Sequence, residues 1–332
     1  MSPPMIVVTG GAGFIGSNIV ARLAAEGRHD VVVCDRFGTA DEAKWKNIAN
    51  HDVADIWSPE ELFERLEQHR DQVVAVIHMG AISSTTEQDV DLIVRTNFSL
   101  SRDVWAWCTQ HAKRLIYASS AATYGDGDQG FEDDDALVAL AALKPLNAYG
   151  YSKRLFDEYA VRQAGRGQAP AQWAGLKFFN VYGPNEYHKG SMKSVVAQIW
   201  PKVAAGEPVQ LFKSHHPDYV DGGQLRDFVH VDDVVDIIAW LLETPDVSGV
   251  FNAGSGQARS FADLARATFA AAGREPQITY IDMPEVLRER YQYFTEARMD
   301  RIRRRGYPGQ STPLETGVRR YVEYLSRHDP HR

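Results

Sequence analysis

Tyr149 and Lys153 form a YxxxK pair, with a phenol and an ammonium four residues apart. On a helix, residues i and i+4 share one face, so both side chains can point toward one site. A phenol has an ordinary pKa of about 10, and a neighbouring ammonium favours the phenolate. We therefore expect Tyr149 to take a proton from a hydroxyl as hydride leaves the carbon that bears it. Lys153 is expected to lower the pKa of Tyr149 and to hold a cofactor ribose.

A run of small, hydroxylated residues follows the predicted strand Arg114–Ala118. The carboxyl end of a strand is where an open α/β sheet exposes its ligand-binding groups. Ser120, with Ser119 as the second choice, is predicted to donate a hydrogen bond to the reacting oxygen. The structural alternative is that these small residues only turn the chain.

Gly10, Gly13 and Gly16 are spaced GxxGxxG between the predicted strand Met5–Thr9 and a helix that begins at Phe14. Glycines let backbone N–H groups approach a pyrophosphate, and the helix N-terminus adds a partial positive charge. An acidic residue about 20 positions on completes the dinucleotide-binding pattern. The segment therefore predicts an NAD or NADP site.

The cofactor choice depends on residues that follow the second predicted strand. Asp35 is suited to the ribose 2′-hydroxyl of NAD, whereas Arg36, assisted by Lys44, is suited to the 2′-phosphate of NADP. These residues leave both cofactors open.

The elements that would position these groups alternate between strand and helix. After Val31–Asp35, strand patterns recur at Val73–Ile77 and Leu176–Phe179, with helical patterns between them. Such alternation predicts an α/β fold, a Rossmann-type doubly wound parallel sheet covered on both faces. We expect residues 5–184 to form the NAD(P)-binding domain, to which the chain returns near 226–256. Residues 185–332 are expected to form mainly a smaller α+β substrate-binding lobe.

Composition excludes several classes of protein. The 332 residues carry a formal net charge of −8, which argues against a general nucleic-acid partner. No apolar run approaches the roughly 20 residues of a membrane helix, and the N-terminus lacks a signal-peptide pattern. A cytoplasmic protein without a membrane partner is expected. Two cysteines, Cys34 and Cys108, can form neither a disulfide framework nor a zinc site, and no metal site is expected.

With these pieces assembled, the chain resembles the extended short-chain dehydrogenase/reductases that act on nucleotide sugars, and within them the ADP-glyceromanno-heptose 6-epimerase family. The resemblance covers about residues 5–325. The general motifs are the glycine loop and YxxxK. The more specific segments are Gly80–Glu87, Ala118–Gly125, Pro145–Lys153, Phe179–Pro184, His188–Met192 and Arg290–Thr295.

The resemblance implies an NADP-dependent isomerase. Such an enzyme converts ADP-D-glycero-D-manno-heptose to its C6 epimer, a lipopolysaccharide core precursor, through a 6-keto intermediate. Tightly held NADP takes hydride from C6 and returns it to the opposite face. Tyr149 matches one acid/base, Lys189 the other, and Ser120 the assisting serine. The family also implies a homo-oligomer, a pentamer.

Further contacts are implied position by position. Besides the glycines and Lys153, those to the cofactor are Phe14, Ile15, Asp35, Arg36, Lys44, Met79, Gly80, Ala81, Ile82, Ser83, Asn97, Val181 and Lys189. Those to the substrate are Ser84, Asn180, Ser191, Gln198, Phe212, Arg226 and Tyr291. A guanidinium at Arg226 suits the ADP diphosphate, because it can hold phosphate oxygens in a bidentate pair.

The sequence also departs from the family pattern. Pro59 replaces a lysine that supports the cofactor phosphate, and Gln198 stands in place of a substrate-binding histidine. The loop at 213–225 is longer than usual and contains His215 and His216. These changes leave open a variant ADP- or GDP-heptose. The alternatives are a UDP-sugar 4-epimerase and a non-catalytic NADP-binding sensor.

Overall fold

The computed structural model describes residues 4–288 and 291–332. Its strands are β1 (Met5–Thr9), β2 (Val31–Cys34), β3 (Asp55–Trp57), β4 (Val73–His78), β5 (Arg114–Ser120), β6 (Gln172–Phe178), β7 (Asn180–Tyr182), β8 (Val209–Phe212), β9 (Leu225–His230), β10 (Gly249–Ala253), β11 (Ala258–Ser260) and β12 (Ile278–Ile281).

Helices connect most of these strands. They are α1 (Phe14–Ala25), α2 (Leu62–Gln68), α3 (Val90–Ile93), α4 (Leu100–Gln110), α5 (Leu137–Ala142), α6 (Ala148–Gly165), α7 (Val195–Ala205), α8 (Val231–Glu243), α9 (Phe261–Ala271), α10 (Glu285–Arg288), α11 (Asp300–Arg304) and α12 (Leu314–Leu325).

Seven strands form one parallel sheet in the order β10-β6-β5-β4-β1-β2-β3. The chain runs outward in one direction through β2 and β3, and in the other through β4, β5 and β6. The strand order therefore reverses between β1 and β4, which is where open α/β sheets bind ligands. This architecture confirms the predicted fold class. Strand β10 pairs with β6, so the chain re-enters the large sheet after residue 248.

Both faces of the sheet are covered by helices. In β1, Ile6 and Val8 pack into the same core as Ile19 of α1 and Ile237 of α8. Val7, between them, belongs to the opposite core, with side chains from α4 and α6. All three β1 side chains are fully buried. Strands buried on both faces therefore appear in the sequence as continuous apolar runs. Each buried apolar side chain contributes about 1.5–3 kcal/mol to the stability of the fold.

Two small sheets lie in the second half of the chain, with the orders β11-β9-β7 and β12-β8. The sequence patterns missed β3, β7, β9 and β11, which are short or interrupted by polar residues. Strand β6 begins at Gln172 rather than Leu176, because its pairing with β5 starts at Arg114 and Gln172. The buried Gln172 amide donates to the carbonyls of Leu241, Thr244 and Val247. A π-helical turn, Val94–Ser99, joins α3 to α4.

Two structural observations concern membrane-spanning helices and metal sites. No helix in the described part of the chain is long and apolar enough to cross a membrane. Within residues 4–288 and 291–332, no group of three or more His, Cys, Asp or Glu side chains could hold a metal ion. Cys34 and Cys108 are both free and buried.

Candidate active site

At Gly10 and Gly16, the glycine loop after β1 has no room for a side chain. Gly10 has a φ of +66°, and a Cβ there would lie 2.7 Å from the backbone nitrogen of Gly80. A Cβ on Gly16 would lie 2.1 Å from the Gly10 carbonyl oxygen. Gly13 is the N-cap of α1, with no side-chain cap and no acidic residue in the first turn. The N–H groups of this turn therefore remain available to a phosphate, as a dinucleotide requires.

A cavity of about 810 Å³ opens beside this loop, and we call it the Gly-loop cavity. It lies at the carboxyl ends of β1, β2, β4 and β5. Among the residues predicted to bind the cofactor, its lining includes Gly10, Gly13, Phe14, Ile15, Gly16, Asp35, Lys44, Met79, Gly80, Ala81, Ile82, Ser83, Lys153 and Lys189. The residues present thus fit a dinucleotide.

Three predicted cofactor residues do not line this cavity. The Arg36 side chain is 72% exposed and pairs with Glu60. Asn97 is buried in the π-helical turn, where its side chain bonds both the N–H and the carbonyl of Ile82 at 2.9 and 3.0 Å. It therefore supports the cavity wall from behind. Val181 lies on β7 and packs against the main core.

The negative charge of Asp35 is balanced by a neighbouring cation. Its carboxylate accepts hydrogen bonds from the Ala12 N–H at 2.9 Å and from the Lys44 ammonium at 2.6 Å. Lys44 also donates to the Arg36 carbonyl at 2.7 Å. Both side chains are largely buried, being 9% and 16% exposed. The rim of the Gly-loop cavity therefore carries a compensated ion pair rather than a free carboxylate.

Helix α6 carries the YxxxK pair into the site. Asn147 caps the helix, accepting from the Gly150 N–H at 2.8 Å. A Cβ on Gly150 would lie 2.5 Å from the Ala122 carbonyl, so the helix lies close against the turn that follows β5. The Lys153 ammonium donates to the Ala118 carbonyl at 2.8 Å and lies 6.0 Å from the centroid of the Tyr149 ring. Burial lowers the pKa of Lys153 to about 8.

The pKa of Tyr149 moves in the opposite direction from the one expected. Burial raises it above the ordinary value, and the Ser120 hydroxyl only partly offsets that effect. The ammonium of Lys153 is engaged with a carbonyl and does not offset the cost of burying a phenolate. Tyr149 is therefore a protonated phenol at neutral pH in the free protein, ready to donate a proton.

The two candidate serines differ in their contacts. The Ser119 hydroxyl donates to Asp157 at 2.7 Å, so it is engaged away from the reacting groups. The Ser120 hydroxyl accepts from the Ala122 N–H at 3.1 Å and faces Tyr149. The Ser120 hydroxyl therefore lies beside the reacting group of Tyr149, which favours Ser120 over Ser119 as the partner of a reacting oxygen.

A second cavity of about 820 Å³, which we call the Arg226 cavity, lies beside the first. Ser120 and the predicted substrate residues Asn180, Arg226 and Tyr291 line it. Tyr149, Phe178, Glu87 and Met192 line both cavities. Ligands in the two cavities would therefore meet at Tyr149.

Arg226 provides a buried cation to the second cavity. The residue is 8% exposed, and its guanidinium lies 5.2 Å from the Tyr291 ring centroid and 5.7 Å from that of Phe261. In the described part of the chain, no carboxylate lies within ion-pair distance of it. Burial lowers the pKa of Arg226. A buried guanidinium with no carboxylate partner is suited to an anionic ligand.

The other predicted substrate residues lie outside the Arg226 cavity. Ser84 lines the Gly-loop cavity, and Ser191 is exposed. Gln198 donates to the carbonyls of Ser191 and Lys193 at 3.2 and 2.6 Å, so its amide is used in holding the preceding loop. Phe212 ends β8 and is half-buried. Arg290, from the Arg290–Thr295 motif, lies outside the described residues.

Lys189 reaches the Gly-loop cavity from a different part of the chain. It sits in a 3₁₀ segment, Tyr187–Met192, and its ammonium lies 5.2 Å from the Phe14 ring centroid. Burial lowers the pKa of Lys189, while the carboxylate of Glu186 acts in the opposite direction. A second group that can exchange protons therefore lines the cavity that also contains Tyr149.

Sequence reasoning missed several lining residues. Glu87 lines both cavities, and its place at the end of the Gly80–Glu87 motif is a signal that would have identified it. Others are Glu42, Thr85, Thr86, Asn147, Phe178, Phe179, His188, Met192, Gln292 and Thr295.

A glycine-loop cavity that joins a second, cationic cavity at a tyrosine fits a dinucleotide-dependent enzyme with an anionic substrate. The sequence profile of the NAD dependent epimerase/dehydratase family matches residues 6–254. The chain belongs to this family. The match confirms the family predicted from the glycine loop and the YxxxK pair, and the members of this family are enzymes.

Individual relatives extend the likeness to nearly the whole chain. A Nitratidesulfovibrio vulgaris (strain DP4) protein named ADP-L-glycero-D-manno-heptose-6-epimerase is 51% identical over 330 residues, covering 98% of this chain and 99% of its own. The crystal structure of the Helicobacter pylori enzyme of that name superposes with a TM-score of 0.75 at 27% identity, covering 97% and 96%. A Thermus thermophilus UDP-glucose 4-epimerase in complex with NAD superposes with a TM-score of 0.72 at 26% identity, covering 96% and 98%.

Proposed function

We propose that this chain inverts C6 of the heptose in ADP-D-glycero-D-manno-heptose, giving ADP-L-glycero-D-manno-heptose through a 6-keto intermediate. The observation that carries the proposal is the meeting of the two cavities at Tyr149, with Lys189 as a second proton-exchanging group on the wall. The curated relatives at 51% and 50% identity carry the name of this activity.

The chemistry divides between the cofactor and the side chains. A dinucleotide held by the residues that line the Gly-loop cavity would supply the hydride chemistry at C6, with removal from one face and return to the other. As the C6 carbonyl forms, one of the two acid/bases takes the proton of the C6 hydroxyl, and Ser120 donates a hydrogen bond to that oxygen. The carbonyl must turn over before reduction, so the second acid/base returns the proton from a different direction. Tyr149 and Lys189 fill these two roles, each contributing about 10²–10⁴-fold.

Substrate recognition rests on the Arg226 cavity. The guanidinium of Arg226 is suited to the diphosphate, because it is buried and free of a carboxylate partner among the described residues. Asn180 and Tyr291 line the same cavity and are proposed to contact the sugar nucleotide. Ser84, Ser191, Gln198 and Phe212 are retained as proposed substrate contacts.

We propose NADP as the cofactor, with NAD as the alternative. The supporting observation is the Asp35–Lys44 ion pair, since a neutralised Asp35 no longer repels a 2′-phosphate and Lys44 stands beside it. Arg36 and Asn97 are retained as cofactor residues, with Val181 beside the nicotinamide. Release of the bound nucleotide by denaturation, followed by mass spectrometry, distinguishes NADP from NAD.

Broader assignments follow from the family. We propose a division into an NAD(P)-binding domain over 5–184 with the return near 226–256, and a substrate-binding lobe mainly over 185–332. A homo-oligomeric cytoplasmic enzyme of lipopolysaccharide precursor synthesis, pentameric as the family resemblance implies, completes the proposal.

The direct test is incubation with ADP-D-glycero-D-manno-heptose, followed by proton NMR of the heptose. We expect the C6 epimer to accumulate without added cofactor, and no turnover of UDP-galactose in the parallel sample. Absence of conversion by folded protein that retains its dinucleotide would refute the proposal. Conversion of UDP-galactose alone would favour a 4-epimerase.

A further inference from the structure

We propose that Asp157 is a positioning residue for the reaction proposed above, on which this inference rests. Its carboxylate fixes helix α6 on strand β5 and supplies the buried negative charge that faces Lys153. The argument starts from a stripe of three side chains on α6.

Tyr149, Lys153 and Asp157 follow one another at four-residue steps along α6, so they lie on one face of the helix. That face meets the last residues of β5. Tyr149 lies by the Ser120 hydroxyl, and the Lys153 ammonium donates to the Ala118 carbonyl at 2.8 Å. Tyr149 and Lys153 thus both contact the end of β5, and one alignment of α6 on the strand provides both contacts.

Asp157 makes the third and most extensive contact of this stripe. Its two carboxylate oxygens accept hydrogen bonds from the Tyr117 hydroxyl at 3.1 Å and the Ser119 hydroxyl at 2.7 Å. Both donors lie on the same face of β5, since side chains alternate along a strand. A Cβ on Gly175 of the neighbouring strand would lie 2.4 Å from the Tyr117 hydroxyl oxygen, so glycine makes room for this bond. Asp157 therefore sets the register of α6 on β5.

The charge of Asp157 is balanced from the other side by Lys177 of β6. The Lys177 ammonium lies 4.0 Å from the carboxylate, and both side chains are almost fully buried, at 1% and 0% exposure. It also lies 4.3 Å from the Tyr124 ring centroid. Among the described residues, the ammonium has no hydrogen-bond partner. With two donors and a cation directed at it, Asp157 is placed as an ionised carboxylate.

Several other titratable groups surround this site. Burial raises the pKa of Asp157, whereas Lys177, the two hydroxyls and Lys153 act against that increase. Asp157 in turn holds the pKa of Lys153 higher than burial alone would leave it. The groups that face the pair from neighbouring elements are His78 on β4, Tyr117 on β5, Lys177 on β6, Tyr124 after β5, and Asp133 and Asp135 on the following loop.

Asp157→Asn tests the charge while preserving shape. We expect the titration midpoint of Lys153, followed by NMR of chain labelled with ¹³Cε-lysine, to fall by about one pH unit. We also expect the alkaline limb of kcat for the epimerisation to move to lower pH. Glu158→Gln is the matched control, because it makes the same change on the next residue, whose carboxylate pairs with Arg154 instead.

A Lys153 midpoint that stays in place in folded Asp157→Asn would overturn the proposal, and so would an equal shift in Glu158→Gln. The NMR titration needs no substrate. A shifted midpoint in a chain that converts no ADP-heptose would therefore support Asp157 and refute only the proposed function. If Asp157→Asn does not fold, Tyr117→Phe carries the test. We expect kcat to fall about fivefold, with the alkaline limb unmoved and KM little changed. An unchanged kcat there would overturn the proposal.

Discussion

The Glu186 carboxylate accepts hydrogen bonds from both the backbone N–H and the hydroxyl of Ser194, at 2.6 and 2.5 Å. Glu186 is fully buried, and Ser194 also caps helix α7. This double contact closes the loop that carries Lys189 along the wall of the Gly-loop cavity. The position of the proposed second acid/base is therefore fixed from the base of its loop.

Weakening this contact is predicted to impair catalysis more than binding. In Glu186→Gln the charge-assisted bonds to Ser194 are lost, at a cost of about 1.5–3 kcal/mol, so kcat should fall about tenfold or more. The substrate KM should change less than kcat, because Arg226 and Tyr291 lie on other segments of the chain. Steady-state kinetics compared with Glu207→Gln, an exposed glutamate just after α7, checks this. Equal kcat values for the two variants would contradict it.

Removing the Tyr149 hydroxyl is predicted to abolish most of the activity. Tyr149→Phe leaves the ring in place but deletes the proton carrier, so kcat should fall by about 10²–10⁴-fold. Dinucleotide content after purification should be unchanged. Tyr151→Phe is the matched control, because that side chain is 43% exposed on another face of α6, and it should retain wild-type kcat. Loss of activity in both variants would point to a defect of the helix instead.

Acid should destabilise the fold through its buried histidines. Burial lowers the pKa of His78 to about 3, and those of His188 and His230 to about 4. The unfolded chain protonates its histidines near pH 6.5, so below that pH it binds more protons than the folded chain does. The free energy of unfolding should therefore have its full value above about pH 6.5 and fall toward pH 4.

Urea unfolding at a series of pH values measures this slope. His230→Asn supplies the control, since asparagine can replace the acceptor that caps α8 through the Asp232 N–H while removing one titrating group. Its slope below pH 6.5 should be shallower than that of the wild type. A stability that does not change between pH 7 and 4 would contradict the assignment.

The Asp35–Lys44 pair predicts cofactor preference. Lys44→Met removes the cation proposed to sit beside a 2′-phosphate and frees the Asp35 carboxylate to repel it. The affinity for NADP should fall about tenfold or more, while that for NAD should change less. Calorimetric titration of both cofactors checks this, with Lys46→Met as the neighbouring control. An equal loss for NAD and NADP would contradict a 2′-phosphate role.

Local spacing was enough to predict the glycine loop, the YxxxK pair and the positions of strands β1, β2, β4 and β5. Both motifs depend on residues close in sequence, whose geometry a turn or a helix dictates. The predicted direction of the Tyr149 pKa shift was wrong, because the cost of burying a phenolate depends on everything packed around the ring. Lys189 was predicted only through the family resemblance, since nothing in the neighbouring sequence distinguishes it from a surface lysine.

Contacts between distant segments were beyond the sequence patterns. Arg226 stacks beside Tyr291, and Lys177 faces Asp157, only because tertiary packing brings those segments together. The π-helical turn that presents Asn97 to the cavity wall has no spacing signal of its own. Gln198 occupies the expected place in the chain, yet its amide holds the preceding loop.

The central claim is that C6 is inverted by transient oxidation within one site. Incubation with ADP-D-glycero-D-manno-heptose deuterated at C6, followed by NMR and mass spectrometry of the product, tests it most directly. The account predicts that the inverted product keeps its deuterium with no added cofactor, because hydride leaves and returns without meeting solvent. Inverted product that has lost its deuterium to water would contradict the account, since C6 would then have exchanged a proton.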